Sequence, residues 1–460
     1  MRNVREGFYH QQVTPRGLMK LTPELLRCSA VGALGGLLFG FDTAVISGTT
    51  QQLSETFQLV PKTLGITVSI ALWGTVAGCA IAGVLGQKLG GRGALRIMAL
   101  LYIISAVGCA FAWNWHVLLI ARFVGGLGIG GSSVLGPVYI AEVSPAKWRG
   151  RLVGVFQINI VLGILAAYLS NYIISSLNIG MHEWRWEFGV AIVPAVLFLV
   201  MLYTISQSPR WLAARGKFEE ALSDLRKLGS ENPEGELAAI KASLESPGQE
   251  RDVPLFQRKY ALPIFLAASI GFFNQMAGVN AILYYATDIF RYAGFSRLSG
   301  NLQSVLIGLM NLVGTFIGMS LIDKAGRKTL LLVGSVGTGF CLAGVAAIFL
   351  THSHPELLVW FLMAFICFFA ASQGAVIWVY IAEVFPTEVR SKGQSLGSGS
   401  HWIMNALIAL AFPVMAARSN GAPFVLFSAM MLVQLIVVWR FYPETKGHTL
   451  EELQMQLQRT

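Results

Sequence analysis

The sequence predicts an all-α membrane protein whose twelve transmembrane helices form two tandem six-helix bundles. Three observations predict it. The 460 residues are 54% hydrophobic and 13% charged, with a mean hydropathy of +0.60, too apolar and too poor in charge for a water-soluble chain of this length. Twelve apolar stretches reach the roughly 20 residues needed to cross a bilayer. The string YIAEV occurs twice, at Tyr139 to Val143 and at Tyr380 to Val384, and each copy runs through a proline to an arginine. The glutamates (383 − 142) and the arginines (390 − 149) of the two copies are both 241 positions apart. A second pair, GVLGQKLGGRG from Gly83 and GMSLIDKAGRK from Gly318, is spaced by 235 (318 − 83). Repeated halves with basic loops at matching places mark a secondary transporter whose substrate sits between the repeats.

The first half (1–206) carries spans near 27–48, 64–84, 95–113, 116–141, 151–176 and 186–206. The second (259–441) carries them near 260–290, 301–322, 329–350, 357–382, 393–417 and 422–441. Between them, 207–258 is polar, and KFEEALSDLRKL and GELAAIKASLE hold apolar residues at helical spacing. We expect short amphipathic helices there, because Phe218, Leu222 and Leu225 form a stripe that a disordered linker would lack. The tail, 442–460, holds TLEELQMQLQ, read as one more surface helix.

Twelve spans put both termini on one side. That side holds twenty-eight Lys and Arg, against Lys62, Arg185, Arg291, Arg297 and Arg418 on the other, and the positive-inside rule makes it cytoplasmic. The net charge of +10 therefore expresses topology, spread over short loops, and gives no support to nucleic-acid binding. No signal peptide is read at the polar, basic N-terminus; the first span targets the chain to the cytoplasmic membrane. Five cysteines lie in or beside spans without paired spacing and read as packing residues. GLGIGG at Gly126 to Gly131 lies inside an apolar span with no preceding strand, so it reads as close helix packing rather than a dinucleotide site. GQSLG at Gly393 to Gly397 lacks the strand-to-helix setting of a nucleophile elbow. With no metal-ligand cluster and no phosphate loop, the expectation is no enzyme, no metal and no cofactor beyond a coupling proton.

Asp42 sits well inside the first span, where a carboxylate costs about 2.5–3.5 kcal/mol on insertion scales, so it should face the bundle interior. We read it as the only carboxylate within the first six spans and Arg122, in the fourth, as the only basic residue inside any span. The pair fits a proton switch, in which motion changes proton affinity, and it also fits a static ion pair between two helices. Amides and imidazole recur in other spans: Gln157 and Asn159 in the fifth, Asn274, Gln275 and Asn280 in the seventh, Asn311 in the eighth, His401 and Asn405 in the eleventh. Amides donate and accept at once, as sugar hydroxyls require, and Phe39, Tyr284, Trp378 and Trp402 offer apolar faces to ring C–H surfaces. Each amide alone fits an interhelical hydrogen bond equally well; the cluster points to a neutral polyol.

At FGFDTAVISG, RFVGGLGIGG, YIAEVSPAKWRG, NQMAGVNAILYY, DKAGRKT, YIAEVFPTEVRSKGQSLG and YPETKGHTLEE the chain resembles the sugar porter branch of the major facilitator superfamily, almost end to end. The resemblance implies the major facilitator fold, alternating access and sugar contacts at Gln157, Gln275, Asn280, Asn311, Gly374, Trp378 and Asn405. It implies cytoplasmic gate links among Arg92, Glu142, Arg149, Arg327, Glu383 and Arg390. Proton-coupled members carry Asp at the position of Asp42, and Arg122 matches its partner. The function this implies is proton-driven uptake of a monosaccharide, a hexose such as glucose, by a monomer. A facilitative uniporter and a non-transporting sensor are the alternatives. Four departures stand out. Asn274 and His401 replace the usual amides. Ala375 and Ile377 replace prolines beside Gly374, implying a stiffer tenth span. SQSPRW replaces PESPRW, and Gln87 stands in the first basic loop where Asp323 stands in the second. Ile164, two turns after Gln157, favours hexose over pentose.

Overall fold

The computed structural model describes residues 21–245, 254–386 and 388–447, and no strand occurs among them. The first half comprises α1 (Pro23–Phe57), α2 (Pro61–Ala110), α3 (Trp115–Val143), α4 (Ala146–Ser176), α5 (Glu183–Gly189) and α6 (Ile192–Met201). Helix α2 carries two spans joined at Gly90, whose φ of 74° breaks the helical path without ending the run of helix. Helices α5 and α6 together make the sixth span. The α1 start shows why such boundaries fall where they do: the Thr22 hydroxyl accepts the Leu25 amide and Pro23 takes the first position, where no amide partner is missed.

In the polar connection lie α7 (Pro209–Ala214), α8 (Phe218–Leu228) and α9 (Pro233–Glu245), the last two on the segments expected to be amphipathic helices. Their apolar stripes meet one another through Leu212, Ala213, Ala221, Leu225 and Leu237. The expected tail helix lies outside the described residues.

The second half comprises α10 (Ala261–Met276), α11 (Val279–Tyr284), α12 (Ala286–Tyr292), α13 (Arg297–Ala325), α14 (Arg327–Thr351), α15 (Leu358–Ala371), α16 (Gln373–Val384), α17 (Arg390–Arg418) and α18 (Ala422–Phe441). Span seven is thus α10 to α12 and span ten is α15 plus α16. The stiff tenth span inferred from Ala375 and Ile377 is corrected: the helix breaks at Ser372 (φ −124°, ψ −87°), and no proline is needed. Gly334 of α14 packs against the break: a Cβ there would meet the Ser372 Oγ at 2.0 Å. The hydroxyl in turn donates to the Phe368 carbonyl.

Small residues set the spacing within each half. A Cβ on Gly126 would lie 2.0 Å from the Ala71 carbonyl oxygen and one on Gly130 2.1 Å from that of Thr75, so GLGIGG brings α3 against α2. Between halves, main-chain approach is concentrated toward the face opposite the basic loops. There Gly65 of α2 abuts the Leu410 carbonyl of α17, and Gly308 of α13 abuts Leu165 and Tyr168 of α4. Tyr168 also donates to the Leu283 carbonyl at 2.6 Å.

Candidate sugar and proton sites

The break in span seven builds the polar centre of the second half. Gly278 has φ 79°, and a Cβ on it would lie 2.2 Å from the Phe427 ring, so only glycine turns the chain there. The turn places amides from both sides of the break together. Asn280 Nδ2 donates to Gln275 Oε1 at 3.0 Å, and Gln275 Nε2 to Asn274 Oδ1 at 3.1 Å. The Gln275 amide also lies 3.2 Å from the His401 ring nitrogens, and Asn274 Nδ2 donates to the Gln373 carbonyl at 3.4 Å. Asn405 brackets the Tyr284 hydroxyl, accepting at 3.2 Å and donating at 3.0 Å. Aromatic rings continue the chain of contacts: Trp378 to His401 with centroids 5.1 Å apart, His401 to Trp402 at 5.2 Å, and Trp402 to Phe39 of α1 at 5.7 Å.

Gln157 and Asn311 approach from elsewhere. Gly154, one turn before Gln157 on α4, has its open side 3.4 Å from Met319 of α13. Asn311 lies on α13 between Gly308, which meets α4, and Met319, at helical spacing along one stripe. Asn311 also lies two turns before Gly318, which meets α15 and α16, and neither the Gln157 nor the Asn311 side chain bonds to another described residue. Trp378 is 40% exposed and Gln157 is exposed too. Gly374 begins the turn after the Ser372 break. Ile164 lies two turns beyond Gln157 along α4. It is buried on α4, and its backbone packs against Gly40 of α1.

Asp42 occupies a separate, narrow pocket lined by Leu38, Val45, Tyr102, Ser105, Cys109 and Phe188. Arg122 stands nearby on α3 but does not pair with it directly. Its Nε donates to the Thr67 carbonyl at 3.0 Å, its guanidinium lies 5.5 Å from the Phe188 ring centre, and Nη1 has no partner among the described residues. Gly125, one turn on, leaves room for the carboxylate: its Cβ position is 3.7 Å from Asp42 Oδ1.

On the basic face each expected gate residue with a hydrogen bond finds one within its own half. Arg327 Nη2 pairs with Glu383 Oε1 at 3.0 Å, and the other Glu383 oxygen accepts from Thr445. Arg92 donates to the Ile205 carbonyl, Arg149 to those of Ala141 and Ser144, and Arg390 Nε to that of Phe385. Glu142 is exposed. A residue outside the repeated motif organises the second loop: the Glu444 carboxylate accepts the Arg327 and Lys328 amides at 2.8 and 3.1 Å, capping α14. Burial opposes ionisation of Glu444, yet the amides of Lys446, Arg327, Lys328 and Thr445 hold its carboxyl below the usual range. In the first half Gln207 takes the matching place, accepting the Arg92 amide at 3.3 Å as a neutral cap.

One reading fails. Asp42 is not the only carboxylate in the first six spans, because Glu187 lies in the sixth, fully buried on α5 beside Glu183. Its position among apolar residues was the signal that could have found it. Among the described residues, no three His, Cys, Asp or Glu side chains stand together as a metal would need.

Comparison with known proteins places these features. The family model described as "Sugar (and other) transporter" matches residues 28–457. The D-xylose-proton symporter of Escherichia coli is 34% identical over 92% of this chain and 94% of its own. The glucose transporter GlcP of Staphylococcus epidermidis is 35% identical over 93% and 96%. Among solved structures, the inward open conformation of the E. coli xylose transporter XylE superposes with a TM-score of 0.85 at 32% identity, covering 94% of this chain and 99% of that one. The same symporter bound to 6-bromo-6-deoxy-D-glucose gives a TM-score of 0.75 at 33% identity, covering 94% of this chain and 99% of that one. With a matching family model, relatives along nearly its whole length and the twelve-span fold, this chain belongs to the sugar transporter family of the major facilitator superfamily, a family of carriers rather than enzymes.

Proposed function

We propose that the protein is a proton-coupled symporter that imports a monosaccharide across the cytoplasmic membrane by alternating access. The observation that carries this reading is the division of labour in the site. One carboxylate, Asp42, is set apart in a narrow pocket near a guanidinium, while uncharged amides and rings gather in the second half and reach Phe39 of the first. A neutral ligand and a coupling ion would each have a place. Phe39, Gln157, Asn274, Gln275, Asn280, Tyr284, Asn311, Gly374, Trp378, His401, Trp402 and Asn405 are the proposed sugar contacts, and Asp42 with Arg122 the proposed proton couple. Relatives described as proton symporters for xylose and arabinose support the coupling. Relatives described as glucose transporters make glucose the first hexose to test.

The driving force suffices. One proton falling through 100 mV releases about 2.3 kcal/mol, and about 1.4 kcal/mol corresponds to tenfold, so a neutral sugar would accumulate roughly 40-fold without a pH gradient. The proposal includes cytoplasmic termini, a monomeric carrier in the lipid bilayer, and a cytoplasmic basic face. Convergence of the halves at the opposite face, with the higher TM-score against the inward open relative, supports an inward-open conformation here. Purified protein in proteoliposomes tests the whole reading. Glucose uptake should follow an imposed inward proton gradient and collapse with a protonophore, whereas gradient-independent equilibration would identify a uniporter.

A further inference from the structure

We propose that Glu183, Glu187 and Arg297 form a latch across the outer mouth of the carrier and so act as positioning residues for transport, distinct from the sugar and proton sites. The inference rests on the alternating-access reading above. Arg297 is the first residue of α13, in the second half, and it reaches into the first. Its Nη1 pairs with Glu183, and its Nη2 lies 3.3 Å from Glu187 Oε1 and 3.3 Å from the Gly48 carbonyl of α1. The glutamates are 5% and 0% exposed.

The first half holds its side of the latch ready. Gln52 Nε2 lies 3.4 Å from Glu183 Oε2 and donates to the Gly180 carbonyl at 3.1 Å, while its Oε1 accepts the Trp184 amide at 2.9 Å. Below the latch, Asn301 of α13 donates to the Ser175 hydroxyl of α4 at 2.8 Å, continuing the seal. One guanidinium, 21% exposed, thus serves two buried carboxylates, and Glu187 Oε2 has no hydrogen-bond partner among the described residues.

That arrangement makes the contact specific to the closed mouth. When the halves part at this face, Arg297 must leave both glutamates, and water replaces it. A ligand or contact shifts an equilibrium only by its difference between two states, and here the difference is the whole latch. Removing one side of a buried ion pair strands the other charge, so deleting Arg297 penalises the closed mouth and not the open one.

The test uses the full-length protein in lipid nanodiscs, spin-labelled at cysteines introduced at Met181 and His354, exposed loop positions in the two halves at this face. Cys79 and Cys367, the native cysteines that are not buried, are changed to alanine. Pulsed dipolar spectroscopy reads the ratio of closed to open mouths. Arg297→Gln and the double variant Glu183→Gln with Glu187→Gln should each move that ratio at least tenfold toward open, and Arg297→Lys by less. In proteoliposomes the same variants should lower KM for sugar offered outside and raise it for sugar inside, a split that a general loss of stability does not produce. Wild-type distance distributions in Arg297→Gln and in the double variant would overturn the proposal. If one of the two fails to fold, the other decides alone, because it breaks the same contact from the opposite side. The distances need no transport, and wild-type sugar counterflow, measured separately, tests the transport reading itself.

Discussion

Gly278→Ala is the sharpest test of how the polar centre is built. Two independent costs meet at this position. The backbone has φ 79°, where an L side chain costs about 1–2 kcal/mol. The new methyl would also lie 2.2, 2.5 and 2.7 Å from three atoms of the Phe427 ring, itself fully buried, and forcing extra volume into such packing costs about 1–3 kcal/mol. The sum is about 2–5 kcal/mol. Gly294 supplies the control: its φ is 93° but no atom lies within 4 Å of its Cβ position, so Gly294→Ala bears the backbone cost alone. Thermal unfolding of the two variants in the same detergent separates the terms. Gly278→Ala should unfold well below Gly294→Ala, and it should also weaken sugar binding, since the turn sets Asn280 against Gln275. Equal unfolding midpoints with unchanged sugar affinity in Gly278→Ala would refute the claim that this turn organises the site.

Three further expectations follow from the geometry. Gln157→Ala and Asn311→Ala should each weaken sugar binding by roughly tenfold, about 1–1.5 kcal/mol for a lost hydrogen bond, while leaving the unfolding midpoint unchanged; titration calorimetry and thermal unfolding read the two effects. Asp42→Asn, which mimics the protonated form, should still exchange labelled sugar in counterflow but lose concentrative uptake under a proton gradient. Concentrative uptake that survives would place the proton elsewhere. Glu444→Gln should lower stability by about 0.5–1 kcal/mol at neutral pH by removing a charged cap from α14. Because the folded carboxyl lies below its ordinary value, the contribution is present above the unfolded carboxylate range and is lost as pH falls through the folded value. The difference between variant and wild type should therefore vanish in acid.

What could be read from sequence was what a single helix determines by itself. Apolar length located all twelve spans, helical spacing located α8 and α9, and the doubled YIAEV motif marked the chain as two related halves. The amides of the second-half site were also legible, because an amide in an apolar span stands out wherever its helix goes. What escaped depended on which neighbour comes near. Asp42 and Arg122 were expected to pair because they were the charges in view, yet Arg122 Nε is satisfied by the Thr67 carbonyl of an adjoining helix. Span ten breaks at Ser372 where Gly334 brings α14 close, a neighbour that no residue of span ten records. The repeat is imperfect at the basic loops. The motifs around Arg92 and Arg327 differ at Gln87 and Asp323, and the groups that cap them, Gln207 and Glu444, lie far along the chain, only one of them charged. Two halves with the same fold thus cap their basic loops with different groups at matching places, 237 positions apart (444 − 207), and the substitution in SQSPRW was the sign of it.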